Sequence, residues 1–119
     1  MTWEELRAWC VSMPGAEETF PFEPGVSVFK AANGKMFAVS VATSEPLDIS
    51  VKCDPDIAQA LRAEYAAIVE GYHLNKRHWN TVTLDGSIAD AEIADMIQDS
   101  YDLVAAKLTR SQRDELRAR

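Results

Sequence analysis

Three β-type runs between residues 26 and 52 constrain the fold more than any other feature of this chain. The runs 26–31 and 35–42 are rich in β-branched and aromatic residues, and they flank Asn33-Gly34. This dipeptide is typical of two-residue hairpin turns, since both positions tolerate a positive φ. The run 47–52 then alternates between apolar and polar residues. Its expected inward positions are Leu47, Ile49 and Val51, and its outward positions are Asp48, Ser50 and Lys52. The pattern predicts an antiparallel meander with one buried face.

Helical patterns surround this meander. The spacing predicts a first helix over 2–12, opened by a capping box at Thr2 and closed by Pro14-Gly15. A second helix is predicted over 55–67 and a third over 89–108. The expected core stripe of the first helix is Leu6, Trp9, Cys10 and Met13, that of the second is Ile57, Leu61, Tyr65 and Ile68, and that of the third is Ile93, Met96 or Ile97, Tyr101 or Ser100, Val104 and Leu108.

The remaining segments complete an α+β prediction. Residues 16–25 read as an irregular or edge strand because proline interrupts them, and residues 79–84 read as a further strand. The order of elements predicts an antiparallel sheet with helices packed on one face. We expect a single domain over 1–119, with 110–119 as a weakly ordered tail.

Composition excludes several classes of protein. The chain has 119 residues and a net charge of −7, and no apolar run approaches the length of a membrane span. The N-terminus lacks the basic and apolar regions of a signal peptide, so we expect a cytoplasmic protein with no membrane partner. Two cysteines are too few for a disulfide framework, and both are expected to be reduced and buried.

Residues 71–81, called the basic segment below, stand out from this acidic background. They contain both histidines, Lys76, Arg77 and Trp79, and no acid. The pattern indicates a surface that contacts a partner. The alternative is that the aromatic residues belong to the core and the asparagines stabilise a turn.

Catalytic and metal-binding patterns are incomplete. His73 and His78 are not part of a zinc motif, so no metal or other cofactor is predicted. Cys10 and Cys53 are interpreted as small buried apolar residues, and without a nucleophile–base–orienter set the chain is not expected to be an enzyme. The acids on the third helix are interpreted as a solvated face, with hard-cation binding as the alternative.

The basic segment, followed by Leu84-Asp85-Gly86-Ser87, resembles the MmcQ/YjbR family of small bacterial proteins. Further matches are found at 14–22, 28–30, 34–38, 52–55 and 100–104. The resemblance implies a CyaY-like, or frataxin-like, fold. It also implies DNA binding through a "double wing" of hairpins, with the Asn33-Gly34 hairpin as one wing.

This resemblance and the charge pattern together give a set of candidate DNA contacts. Cations at strand ends and in the basic segment would bind phosphates, and neighbouring polar and aromatic side chains would shape the surface or contact bases. The set is Lys30, Lys35, Lys52, His73, Asn75, Lys76, Arg77, His78 and Trp79. The alternative is a binding module that holds a small anionic ligand or a protein partner in the Tyr72–Trp79 loop. In either case the protein is expected to be a monomer.

Overall fold

In the residues that the computed structural model describes, 1–71, 74–106 and 111, the chain forms three helices and six strands. The elements in chain order are α1 (Trp3–Val11), β1 (Glu17–Thr19), β2 (Val26–Lys30), β3 (Met36–Val41), β4 (Asp48–Lys52), α2 (Pro55–Glu64), β5 (Ile68–Glu70), β6 (Trp79–Thr83) and α3 (Asp90–Ala105). The predicted tail 110–119 lies outside the described residues except for Ser111, and Leu108 of the predicted core stripe also lies outside them.

The six strands form one antiparallel sheet in the order β1-β2-β3-β4-β6-β5. The first four strands are a meander, which confirms the antiparallel meander predicted over 26–52. The predicted single buried face is not confirmed, because Ser50, expected to point to solvent, is only 8% exposed. The chain then passes through α2 and adds β5 and β6, so that β6 pairs with β4 and β5 forms the outer edge. The α+β prediction of an antiparallel sheet with packed helices is confirmed.

The main core lies between the helices and one face of the sheet. Leu6 and Cys10 of α1 and Ile97 of α3 are fully buried there, against Phe29 and Ile49 of the sheet. The predicted stripes of the first and third helices are therefore largely confirmed. The prediction for the second was wrong at Ile57, which is 56% exposed, because α2 fully buries only Ala58. Trp9 is the exception in α1, because it remains 40% exposed and its indole N–H donates to the Ala94 carbonyl at 3.3 Å.

The second helix is shorter than predicted. It starts as expected, with Asp54 as N-cap and Pro55 at the first helical position, but it ends at Glu64. Tyr65 is extended, and Ile68 belongs to β5, where it pairs with Val82. The prediction of helix to 67 was wrong because a buried residue three positions after Tyr65 fits helical spacing equally well.

The hairpin between β2 and β3 also differs from its prediction. The Gly34 amide donates to the Ala31 carbonyl, and the Ala31 amide donates to the Lys35 carbonyl, each at 2.9 Å. The loop thus contains Ala32, Asn33 and Gly34, and Gly34 has a φ of 78°. This is the three-residue hairpin that ends in a left-handed glycine, rather than a two-residue turn.

Ser100 of α3 ties the helix to two strands. Phe29 pairs with Ala38 and Lys30 with Met36, so Phe37 is left without a partner in a β-bulge. The fully buried Ser100 hydroxyl donates to the Phe37 carbonyl at 2.6 Å and accepts the Lys52 amide at 2.8 Å. The third helix thereby satisfies polar backbone groups at the ends of β3 and β4.

Candidate functional site: a basic end of the sheet

The topology brings cations from three separate parts of the sequence to one end of the sheet. β2 ends at Lys30, which pairs with Met36 at the start of β3, and β4 ends at Lys52, which pairs with Trp79 at the start of β6. Antiparallel neighbours meet end to start, so these strand ends and their connections lie together. We call this surface the basic end and define it by Lys30, Lys35, Lys52, Lys76 and Arg77.

A tight turn presents Lys76 and Arg77. The Asn75 carbonyl accepts the amides of His78 at 3.1 Å and Trp79 at 2.9 Å. The Asn75 side-chain oxygen accepts the Arg77 amide at 3.0 Å. Asn75 is thus a turn-forming residue, as the alternative interpretation of the basic segment holds. The turn leaves the side chains of Lys76 and Arg77 exposed.

Trp79 anchors this turn to the protein interior. Only 6% of its surface is exposed, so its ring is not available to stack on a base. Gly71 runs beside it, with the Gly71 amide donating to the Trp79 carbonyl at 2.8 Å. His78 is half-buried, and its backbone carbonyl accepts a hydrogen bond from the Cys53 amide at 2.7 Å. Trp79 and His78 therefore shape the surface.

Arg62 of α2 contacts the basic segment, a role that the sequence does not predict. Its guanidinium donates to the side-chain oxygen of Asn80 at 2.8 Å and to the Lys76 carbonyl at 3.5 Å. The buried Asn80 completes the link by donating to the Ala58 carbonyl at 3.2 Å. No sequence pattern predicts the contact between Arg62 and Asn80, because the contact depends on how α2 crosses β6.

The cations of the basic end differ in exposure. Lys35, Lys76 and Arg77 are exposed and Lys30 is half-buried, and none of these four forms a salt bridge with a described residue. Lys52 is half-buried beside α3. The remaining predicted contact, His73, lies outside the described residues, as does Tyr72 of the alternative pocket.

Carboxylates border the basic end on its α3 side. Burial raises the pKa of Asp99, and the negative charges of Asp102 and Asp95 raise it further. Asp99 also lines a small cavity together with Lys52 and Cys53. The α3 side of this end is therefore acidic, whereas the hairpin and the 75–79 turn carry the exposed cations.

The two thiols are unsuited to nucleophilic chemistry at neutral pH. Burial, followed by the charge of Glu18, raises the pKa of Cys10 to about 12. Cys53 is only half-buried, not buried as predicted. Its partial burial is still the main cause of its raised pKa, with further contributions from Asp54 and Asp99. A thiol with a raised pKa is mostly protonated at pH 7, and the thiolate is the reactive form.

No cluster of three or more histidine, cysteine or acidic residues that would hold a metal ion is found within the described part of the chain. The acids of α3 face outward, and Glu92 accepts the Tyr65 hydroxyl at 2.9 Å. No helix in the described ranges is both long and apolar enough to cross a membrane.

Comparison with known proteins places the chain in a family. The YjbR family model matches residues 11–103. The chain is 34% identical over 101 residues to the uncharacterised protein YjbR of Escherichia coli K12, covering 85% of each chain. It is 34% identical to the uncharacterised protein YbdF of E. coli O157:H7 over 116 residues, covering 98% of this chain and 93% of YbdF.

Solved structures agree with this assignment. The crystal structure of Deinococcus radiodurans protein DR2400, of domain DUF419, superposes with a TM-score of 0.89 at 40% identity, covering 97% of this chain and 87% of that one. A crystal structure of a Pseudomonas syringae protein superposes with a TM-score of 0.75 at 27% identity, covering 87% of this chain and 98% of that one. On the strength of the family match and these relatives, the chain belongs to the YjbR family.

Proposed function

We propose that the chain is a non-catalytic DNA-binding protein that contacts phosphates through the basic end. The observation that carries the proposal is the convergence of the β2–β3 hairpin, the end of β4 and the 75–79 turn at one end of the sheet. The hairpin is one projection, and the turn that carries Lys76 and Arg77 is the second. Two projections flanking a strand end suit a backbone contact that carries little sequence information.

The charge distribution sets the strength of binding. The net charge is −7, and the α3 carboxylates adjoin the basic end, so only a few phosphates can be neutralised. We therefore expect weak binding that is limited to low salt. The proposal also requires the cytoplasmic location that the sequence predicts.

The double substitution Lys76→Ala/Arg77→Ala tests the proposal. Each phosphate contact contributes about −0.9 to the slope of log K against log salt concentration. The slope of the double variant should therefore be less steep than that of the wild type by up to about 2. Fluorescence anisotropy with a labelled duplex, between about 50 and 200 mM salt, measures the slope. The matched control is Ala8→Glu/Ala91→Glu, which changes the net charge equally at exposed helix positions of α1 and α3.

We expect the control to keep most of the wild-type slope. Equal loss in both double variants would show that net charge, and not the basic end, governs binding. Equal binding by all three proteins would contradict the proposal outright.

A second candidate function is recognition of a small anion behind the turn. A cavity of about 350 Å³ lies there, and Lys52, Asn75, His78 and Trp79 contribute to its lining. Inorganic phosphate and citrate should then raise the melting temperature, and Lys52→Ala should abolish this effect while Lys76→Ala/Arg77→Ala retains it. Stabilisation by DNA alone, sensitive to Lys76 and Arg77, favours the first function instead.

A further inference from the structure

The sheet face opposite the main core carries a groove of about 440 Å³. Strand pairing defines this face, because Val39 pairs with Ser50 and Ser50 pairs with Thr81. Their neighbours Val51 and Val82 point the other way, into the main core. The groove has the volume of a typical small-molecule site.

The walls of the groove are apolar. Val26 and Val41, which pair with each other, form its wall with Val39. Phe22, which is 61% exposed, and Leu74 complete the apolar lining. The floor is polar but satisfied, since the hydroxyls of Ser50 and Thr81 lie 2.8 Å apart in a buried hydrogen bond. Such a surface accepts an apolar body without leaving a buried polar group unpaired.

Asp48 gives the groove a charged end. It is the first residue of β4 and pairs with Thr83, whereas Leu74 lies near the opposite end of the sheet. Its carboxylate is half-buried, and no salt bridge or side-chain hydrogen bond to it is present within 1–71 and 74–106. Burial raises the pKa of Asp48, because the low-dielectric groove disfavours the charged form.

Charge complementarity selects the kind of ligand. The titratable groups that line the groove are Asp48 and Glu23, and no lysine or arginine is part of the described lining. An anionic ligand would be repelled, whereas an ammonium group would pair with the unpartnered carboxylate. An apolar body would extend from it over Val39 toward Leu74.

We propose that this groove binds a small organic ammonium ligand, with the cationic head at Asp48 and the apolar body along the valine wall. The site is separate from the basic end in both charge and face. Its expected occupant is a small hydrophobic amine.

Three probes with one apolar body and different heads test this inference: 4-phenylbutylammonium, 4-phenylbutanol and 4-phenylbutanoate. Nitrogen-15 NMR titration of the full chain measures each affinity and locates the shifted amides. We expect the amine to bind about tenfold more tightly than the alcohol, with shifts in β3, β4 and Leu74. The carboxylate should bind most weakly.

Asp48→Asn keeps the shape of the side chain and removes its charge. The preference for the amine over the alcohol should then fall to about one, while alcohol binding is retained. Glu23→Gln is the matched control, because it also removes one negative charge from the lining but at an exposed position. It should retain most of the preference.

Several outcomes would overturn the inference. They are equal affinity for the three probes, a preference that survives Asp48→Asn, or shifts located outside the groove. Groove resonances that move with protein concentration in the absence of probe would also overturn it, since a second copy of the chain would then be the occupant.

Discussion

Phe29→Ala is expected to lower the free energy of unfolding by about 3–5 kcal/mol, the usual loss for a fully buried phenylalanine. Phe29 has no exposed surface, its ring lies 6.4 Å from that of Trp3, and it joins β2 to the core under α1. A domain of this size has a total stability of about 5–15 kcal/mol, so the variant should be close to unfolding at physiological temperature. Urea denaturation monitored by circular dichroism measures the loss.

Phe20→Ala is the matched control for this prediction. It deletes the same side chain at a position that is 52% exposed, before β2 begins. Surface substitutions of this kind usually change stability by no more than about 0.5 kcal/mol. A loss of similar size in both variants would contradict the assignment of the main core.

Gly71→Ala is expected to destabilise the fold by about 1–3 kcal/mol through overpacking. A Cβ at Gly71 would lie 2.6 Å from the Trp79 Cβ and 3.0 Å from the Trp79 carbonyl oxygen. Relief of these contacts requires the backbone of β6 to move, because neither atom belongs to a flexible side-chain tip. The same movement would shift the start of the strand that follows the Lys76–Arg77 turn, so DNA binding should weaken as well.

Gly25→Ala separates this effect from a general effect of removing glycine. A Cβ there meets no atom within 4 Å, and Gly25 is not among the positive-φ glycines. The stability of the Gly25→Ala protein should equal that of the wild type or rise slightly, since alanine restricts the unfolded chain. Thermal denaturation of the two variants tests the contrast. A Gly71→Ala protein as stable as Gly25→Ala would contradict the close packing of Gly71 on Trp79.

The sequence predicts elements whose signals are local. The capping box at Thr2, the Asp54-Pro55 helix start and the alternating run before Lys52 all depend on neighbours within a few residues, and the structure contains each of them. The end of α2 is different. The choice between helix and strand at Ile68 is decided by its pairing with a strand that comes later in the chain.

The candidate site shows the same division. Clustering of Lys76 and Arg77 is visible in the sequence, but their association with Lys30 and Lys35 depends on strand order. The hydrogen bond from Arg62 to Asn80 depends on where α2 lies against the sheet, and no local sequence pattern predicts it.

The second face of the sheet shows where a strand pattern misleads. The alternation in β4 suggests that the face carrying Ser50 is solvated, yet Ser50 is only 8% exposed. Val26 and Val28 in β2 and Val39 in β3 lie on this face by strand pairing, while Phe29 faces the main core. Continuous apolar runs in β2 and β3 are the signal that both faces are partly buried.

We propose that DNA contacts the basic end and not another surface. Titration of the nitrogen-15-labelled chain with a short duplex at low salt locates the contact most directly. We predict that the largest shifts fall on amides of residues 31–36 and 75–78, and that they reverse on addition of salt. Shifts spread over the helices, or shifts confined to the groove beside Asp48, would contradict the claim.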